Sequence, residues 1–433
     1  MALLLGIPTA FGAGVGAHPS IEDHDEDELS LTEAEALDFD AAYIAEKFDM
    51  PFEVVRQQLD YQIAFGDLLD RIPQDIQQSQ FAGAALDRFN PGTATIFFKD
   101  EVPSEVVSLV GGAGVPGIQL QGGMRYSNED LKTLSRAVVA TVTGLGYSHL
   151  VLSIEPGTQR LALVVVDPPG PSFTTASELA EAIAIRLDEA FQVDARDLIV
   201  EIRPEGATLG RATGAYGGSK MPVAGDPVAY CTSAFVVRKN SNGAEGVLTA
   251  SHCEGLTTMY HHNLDGTIKH GPFSTPWGGG TLESGDEEYG DIEWRTTVHD
   301  ALPKFHWRDG DARRTVGSRA SNLQHPIDQL VCRYGRTTDY ECAYISHNPA
   351  SFSISWLGDI VVLEDMVLLS NGCFSGFCAS QDGDSGGPWF NGSKAFGIHH
   401  GWLPVAGGGG EAFEAYSKIQ NAEILFDLSV QTG

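Results

Sequence analysis

All six cysteines of this 433-residue chain fall between Cys231 and Cys378. The first 230 residues hold none. An even set confined to one half reads as three disulfides, in the part of the protein that must persist in an oxidising compartment. A four-cysteine zinc site needs paired short spacings, which these cysteines do not provide. The cysteine-bearing half also changes texture. Short β-like runs (234–237, 246–249, 327–331, 352–356, 360–363 and 395–398) alternate with Gly, Asn and Pro. Such spacing predicts a barrel or a sandwich. With 50 glycines and only 20% charged residues, an all-β domain rich in turns is expected.

The first half follows a different period. Leu31, Ala34, Leu37, Ala41, Ile44 and Phe48 recur at three and four, as on an amphipathic helix. Met50-Pro51 interrupts the pattern, and Pro51 to Ile72 reads as a second helix with Val54, Val55, Leu59, Ile63, Leu68 and Leu69 on its apolar side. A short strand is expected over 94–98. Then come a helix over 128–142, strands over 149–154 and 160–166, a helix over 176–191 capped by Thr175, and a strand over 198–202. This order predicts an α+β region in two subdomains, with a break near 100–125. Residues 203–218 are rich in Gly and Ala with little periodicity, as in a linker open to proteolysis. The expected domains are therefore 1–19 as a signal peptide, 20–212 as the α+β region and 213–433 as the β-rich domain. The signal is read from the apolar run that starts at Met1 and ends near Gly16-Ala17, although no Lys or Arg precedes it.

Charge narrows the partners. Acids outnumber bases 58 to 27, for a formal charge of −31. Phosphate binding needs clusters of Lys and Arg, so nucleic acid is excluded as a partner. An anionic membrane surface is excluded on the same ground, and no later run is apolar enough to span a bilayer. No calcium-binding loop is recognisable.

Three stretches carry chemistry. Gly383-Asp384-Ser385-Gly386-Gly387-Pro388 places a serine on a glycine-rich turn, where its oxygen can stand beside converging N–H groups. Upstream lie Leu248-Thr249-Ala250-Ser251-His252-Cys253 and Gly290-Asp291-Ile292-Glu293-Trp294. The order His, Asp, Ser at domain-sized spacing is that of chymotrypsin. A fourth stretch runs from Val331 through Cys332-Arg333-Tyr334-Gly335 to Cys342. On these motifs the chain resembles the chymotrypsin-like serine proteases, and among them the bacterial secreted subgroup of streptogrisin and α-lytic protease.

The resemblance implies two six-stranded antiparallel β-barrels of trypsin type, preceded by an α+β pro-region. It implies His252 as general base, Asp291 as its orienting carboxylate and Ser385 as nucleophile. The amides of Gly383 and Ser385 form the implied oxyanion hole. It pairs Cys231 with Cys253 and Cys332 with Cys342, leaving Cys373 and Cys378 to close a short loop. It places Arg333 against Asp384, and it makes His400, Gly401 and Trp402 part of a strand that receives the substrate backbone. His400 stands where the family has a serine touching the catalytic aspartate. His399 and His400 suggest a metal only if a third ligand exists, and none is identifiable in the sequence. No aspartate marks a trypsin-like pocket, so an uncharged, apolar or aromatic P1 residue is expected, with Gly407 to Gly410 near the pocket. Asn391-Gly392-Ser393 is a glycosylation sequon.

The expected function is that of a secreted, extracellular, monomeric serine endopeptidase. It uses no cofactor and no metal, acts on protein or peptide substrates, and is made as a pro-enzyme whose own pro-region aids folding and inhibits. The competing expectation is a catalytically silent binding protein on the same scaffold, with a permanent N-terminal accessory domain.

Overall fold

The computed structural model describes residues 30–147, 149–154, 157–166, 173, 175–191, 193–203, 220–222, 230–253, 258–261, 268–272, 290–296, 302–307, 313–356, 359–370, 380–404 and 412–433. Helix α1 spans Glu33–Phe48. Thr32 and Glu35 cap it reciprocally, each side chain taking the other's backbone N–H. Asp49 ends it in the left-handed region at φ 52°. Helix α2 spans Phe52–Leu69 and starts directly after Pro51, as proline's fixed φ favours. Its buried face differs from the sequence expectation. Val54 is 36% exposed, whereas Gln58 and Gln62 are buried. The physical reason is the surface α2 lies on: Asn391 of the β-rich half faces Gln62, so part of the stripe is polar.

Next comes a three-stranded sheet of Phe81–Leu86, Ala94–Lys99 and Ile118–Met124, with helices Gln74–Ser79 and Ser104–Ala113. Of these only the middle strand was legible from periodicity. The following unit has helices Asn128–Gly144 and Ala176–Phe191 on strands Leu150–Ile154, Leu161–Val166 and Leu198–Arg203. Its edge strand does not stop at the unit's border. Val151, Leu152 and Ser153 pair antiparallel with Phe352, Ser351 and Ala350, so the sheet runs on into the second half.

That second half is built around a ring. Leu330–Gly335 pairs with Pro388–Asn391, which pairs with Lys394–Pro404, then Ala412–Lys418, Asp359–Ser370 and Asp339–Trp356. Asp339–Trp356 pairs back with Leu330–Gly335 and closes the circuit. Eight other strands lie in two four-stranded sheets, one of Glu293–Thr296, Glu245–Thr249, Val236–Lys239 and Leu428–Val430, the other holding Tyr230–Thr232; Lys304–His306 pairs with Arg313–Thr315, which pairs with Ser30–Leu31, and Ser318–Arg319 pairs with Lys394–Pro404. No strand pairing joins these two sheets among the described residues. The described protein is thus mostly strands, with one closed six-stranded ring. No helix among the described residues is long and apolar enough to cross a membrane.

The largest core does not respect the expected domain border. Leu37, Ala41, Ile44, Val55 and Leu59 of the two helices pack in one cluster with Phe305, Trp307, Val316, Leu330, Tyr340 and Phe390.

Candidate active site

Asp291 follows Gly290, whose φ of 95° suits glycine and whose absent Cβ leaves room for Ser417 and Met366. The strand it leads into, Glu293–Thr296, pairs with Glu245–Thr249, and that strand delivers Ser251 and His252. The pairing brings the carboxylate under the imidazole. His252 Nδ1 lies 2.5 Å from Asp291 Oδ2. The Ser251 hydroxyl donates to Oδ1 at 2.5 Å and the His252 amide donates to Oδ1 at 3.1 Å. The Asp291 amide is held by Ser417 Oγ at 2.8 Å.

A second imidazole shares this acid. His400 Nδ1 lies 2.6 Å from the same Oδ2, and its ring crosses that of His252 at a centroid distance of 5.2 Å. Asp291 is completely buried. Burial alone would raise its pKa, but the two histidines outweigh it and hold the carboxyl well below its ordinary range. Burial also pushes the His400 pKa down, against the pull of Asp291. The ligating atoms of His252, Asp291 and His400 lie within 4.8 Å of one another, the one such donor group among the described residues. His399 is not part of this group.

Ser385 enters from the ring. Gly383 and Gly386 have φ of 124° and 85°, which shapes the turn on either side of it. The turn is seated on the end of Tyr230–Thr232. The Thr232 amide donates to the Ser385 carbonyl at 3.1 Å, and Thr232 Oγ1 donates to the Gly383 carbonyl at 3.2 Å. A Cβ at Gly386 would lie 2.2 Å from the Thr232 carbonyl oxygen and 2.5 Å from Thr249 Oγ1. The disulfide Cys231–Cys253 staples the neighbours of Thr232 and His252 together. From the other side, the Gly386 amide donates to the His399 carbonyl at 2.6 Å, which fixes the turn to strand Lys394–Pro404. Ser385 is 3% and His252 7% exposed.

Asp384, next to Ser385, is fully buried. The amides of Thr337 and Thr338 donate to Oδ1 at 2.9 and 3.2 Å. Thr338 Oγ1 and the Gln381 amide donate to Oδ2 at 2.6 and 2.9 Å. Arg333 is also there, paired with Asp384 as expected and with a second acid besides. Its Nη1 stands 3.5 Å from Asp384, while its Nε and Nη2 donate to Glu414 at 3.2 and 3.0 Å. The expected Arg333–Asp384 pair is present, and Glu414 is the closer partner of the same guanidinium. The guanidinium is buried, and Glu414 and Asp384 together hold its pKa above the ordinary value despite that burial. Glu414 was missed because nothing near it in sequence marks a buried acid. It sits on Ala412–Lys418, whose register opposes it to Trp402.

Strand Lys394–Pro404 carries His400, Gly401 and Trp402. Beyond Ile398 its strand pairing is with Ala412–Lys418 only, among the described residues. His399 is turned to the other side, where its Nδ1 accepts from Trp389 Nε1 at 3.1 Å. Burial and the nearby Arg333 push its pKa well below the ordinary value. The disulfide Cys332–Cys342 closes the hairpin that carries Arg333. Cys373, Cys378 and Gly407 to Gly410 lie outside the described residues. Asn391 of the sequon is 3% exposed and donates to the Leu330 carbonyl at 3.2 Å, so no glycan fits the folded protein.

A buried acid, a histidine on it and a serine on a glycine turn define a class, and comparison with known proteins agrees. The chain resembles bacterial chymotrypsin-like serine proteases. No protein-family profile matches it. Serine protease 1 of Rarobacter faecitabidus is 30% identical over 183 residues, covering 41% of this chain and 29% of the relative. Serine protease 1 of Streptomyces fradiae is 28% identical over 267 residues, covering 57% of this chain and 63% of the relative. The chain thus spans less than two thirds of the length of either. Among solved structures, a glutamic acid specific serine protease aligns at a TM-score of 0.37 and 20% identity, covering 50% of this chain and 99% of that one. Nocardiopsis protease aligns at 0.34 and 17%, covering 51% and 98%.

Proposed function

We propose that the protein is a secreted serine endopeptidase made as a pro-enzyme. The observation that carries this is the His252–Asp291 contact of 2.5 Å, with the Cys231–Cys253 disulfide tying the neighbour of His252 to the segment on which the Ser385 turn is seated. Ser385 attacks the scissile carbonyl and His252 takes its proton. Asp291 fixes the imidazole with Nδ1 protonated and supports the imidazolium. The amides of Gly383 and Ser385 receive the tetrahedral oxyanion. His252 returns the proton to the leaving amine, and the acyl-enzyme is then hydrolysed by water that the same histidine activates.

The half-paired strand beyond Ile398 supports substrate binding by β-strand addition along His400, Gly401 and Trp402. The two-barrel arrangement, a self-encoded pro-region within residues 20–212, a monomeric state and an uncharged P1 preference belong to the same reading. Secretion is supported by the two disulfides.

The test is a fluorophosphonate that labels activated serines, followed by intact mass over time, on wild type beside Ser385→Ala. Labelling of the wild type alone, with cleavage within residues 204–219 in the wild type alone, is the expected outcome. Absence of label in the wild type would favour the silent binding protein instead.

A further inference from the structure

The N-terminal helices and the catalytic half share a buried charge. Asp40, on α1, is 1% exposed and Arg314, on the strand Arg313–Thr315, is 0% exposed. Arg314 grips the carboxylate with both ends of its fork, Nη2 to Oδ1 at 2.6 Å and Nη1 to Oδ2 at 3.1 Å. Tyr340 donates its hydroxyl to Oδ1 at 2.5 Å, and the Gly392 amide donates to Oδ2 at 2.8 Å. The guanidinium also lies 4.5 Å from the centre of the Trp307 ring. Around this mortise, the backbone before α1 adds a short parallel strand, with Ser30 and Leu31 opposite Arg313 and Arg314.

If α1 left, Arg314 would keep its charge without a carboxylate, and Tyr340 and Gly392 would each lose an acceptor. Such removal of one partner from a buried pair is strongly unfavourable. The contact made by Val151, Leu152 and Ser153 is of another kind, an edge pairing of three residues.

What α1 touches next bears on the site. Its Tyr43 hydroxyl donates to the Tyr340 carbonyl at 2.8 Å, and Lys47 pairs with Glu341. Both partners lie in the disulfide hairpin Leu330–Gly335 to Asp339–Trp356. The loop of that hairpin supplies Thr337 and Thr338, three of whose donors hold Asp384 beside the nucleophile.

We propose that α1 is a permanent part of the catalytic unit. It stays docked after the chain is cut between residues 204 and 219, and it clamps the hairpin whose loop holds Asp384. This rests on the protease reading above and sets α1 apart from the part of residues 20–212 that would be lost as a pro-region. Tyr43 and Lys47 are positioning residues, which act through the hairpin and do not touch substrate.

The test uses the full chain with a recognition site for a site-specific protease inserted between residues 204 and 219. In the Ser385→Ala background, cut protein is run on size exclusion at about 1 μM. The two fragments are expected to co-elute, and Asp40→Asn to weaken their association at least about 100-fold. In the otherwise wild-type chain, release of the N-terminal fragment is expected to slow fluorophosphonate labelling about tenfold or more. Tyr43→Phe with Lys47→Met changes half-buried side chains only and covers the case in which Asp40→Asn does not fold. In that variant, hydrogen exchange at the Thr337 and Thr338 amides is expected to accelerate about tenfold, while strand Leu161–Val166 keeps its protection. Fragments that separate in the wild type, or exchange at Thr337 and Thr338 that does not change, would overturn the proposal. Co-elution with no label in any form, cut or uncut, overturns the enzymatic role of the clamp and of Ser385 together and leaves the docking standing.

Discussion

Asp291 is asked to serve two imidazoles with one oxygen. In Asp291→Asn the donor His252 Nδ1–H loses its anionic partner, and kcat is expected to fall on the order of 10⁴-fold, as for the equivalent change in a comparable protease. The shared oxygen makes a finer prediction. In His400→Ser the carboxylate oxygen serves only His252, which strengthens its support of the imidazolium. The acid limb of the kcat/KM profile should then move to higher pH. A profile that coincides with wild type would show that His400 has no electrostatic share in the site. Glu414 offers a stability test at the same scale. Glu414→Gln leaves the buried Arg333 with only the 3.5 Å contact to Asp384 as an ionic partner. A loss of about 3–5 kcal/mol is expected in urea unfolding.

At the scale of elements, the hairpin closed by Cys332 and Cys342 is the part on which both the acid nest and α1 converge. The two cysteines are 10 residues apart. Replacing both by serine should lower stability by about 2–4 kcal/mol through the denatured chain. It should also loosen Thr337 and Thr338 in the native one, so labelling of Ser385 should slow more than the melting shift alone accounts for.

The elements differ in how far the sequence disclosed them. α1, α2 and the helix Ala176–Phe191 were legible because each buries a stripe at helical spacing, with Pro51 marking the start of α2 and Thr175 capping the third. Phe81–Leu86 was not, because FAGAAL is short and its alanines carry little periodicity. Nor was Ile118–Met124, where glutamine and glycine fill the outer positions. The His252, Asp291 and Ser385 stretches stood out because turn chemistry forces unusual residues into them. Glu414, the second imidazole bond to Asp291 and the Asp40–Arg314 pair did not. Each joins positions far apart in the chain, and only strand register or helix docking brings them together.

For the whole molecule, acid is the vulnerable side. Asp365 is buried, which by itself raises its pKa, but Lys418 at 2.6 Å and Lys132 at 3.4 Å pull it well below the ordinary value. Asp291 is depressed likewise by its histidines. A depressed carboxylate contributes stability that is fully present above the unfolded pKa, near 3.9, and is lost as pH falls through the lower folded value. Near-UV circular dichroism should therefore hold level down to about pH 4 and decay below it. Lys132 belongs to the helix Asn128–Gly144, so the same titration should loosen the N-terminal half from the ring.

Asn391 gives the molecule an unplanned clock. Its sequon lies beneath α2, with the amide nitrogen on Leu330 and Gln62 beside it. In a eukaryotic secretory host, the glycosylation machinery could reach that asparagine only on nascent chains in which the helical pair had not yet settled. A sugar once attached could not be accommodated afterwards. The fraction of glycosylated chains would thus record a race between enzyme and docking, and slowing translation or weakening α1 should tilt that record toward the sugar.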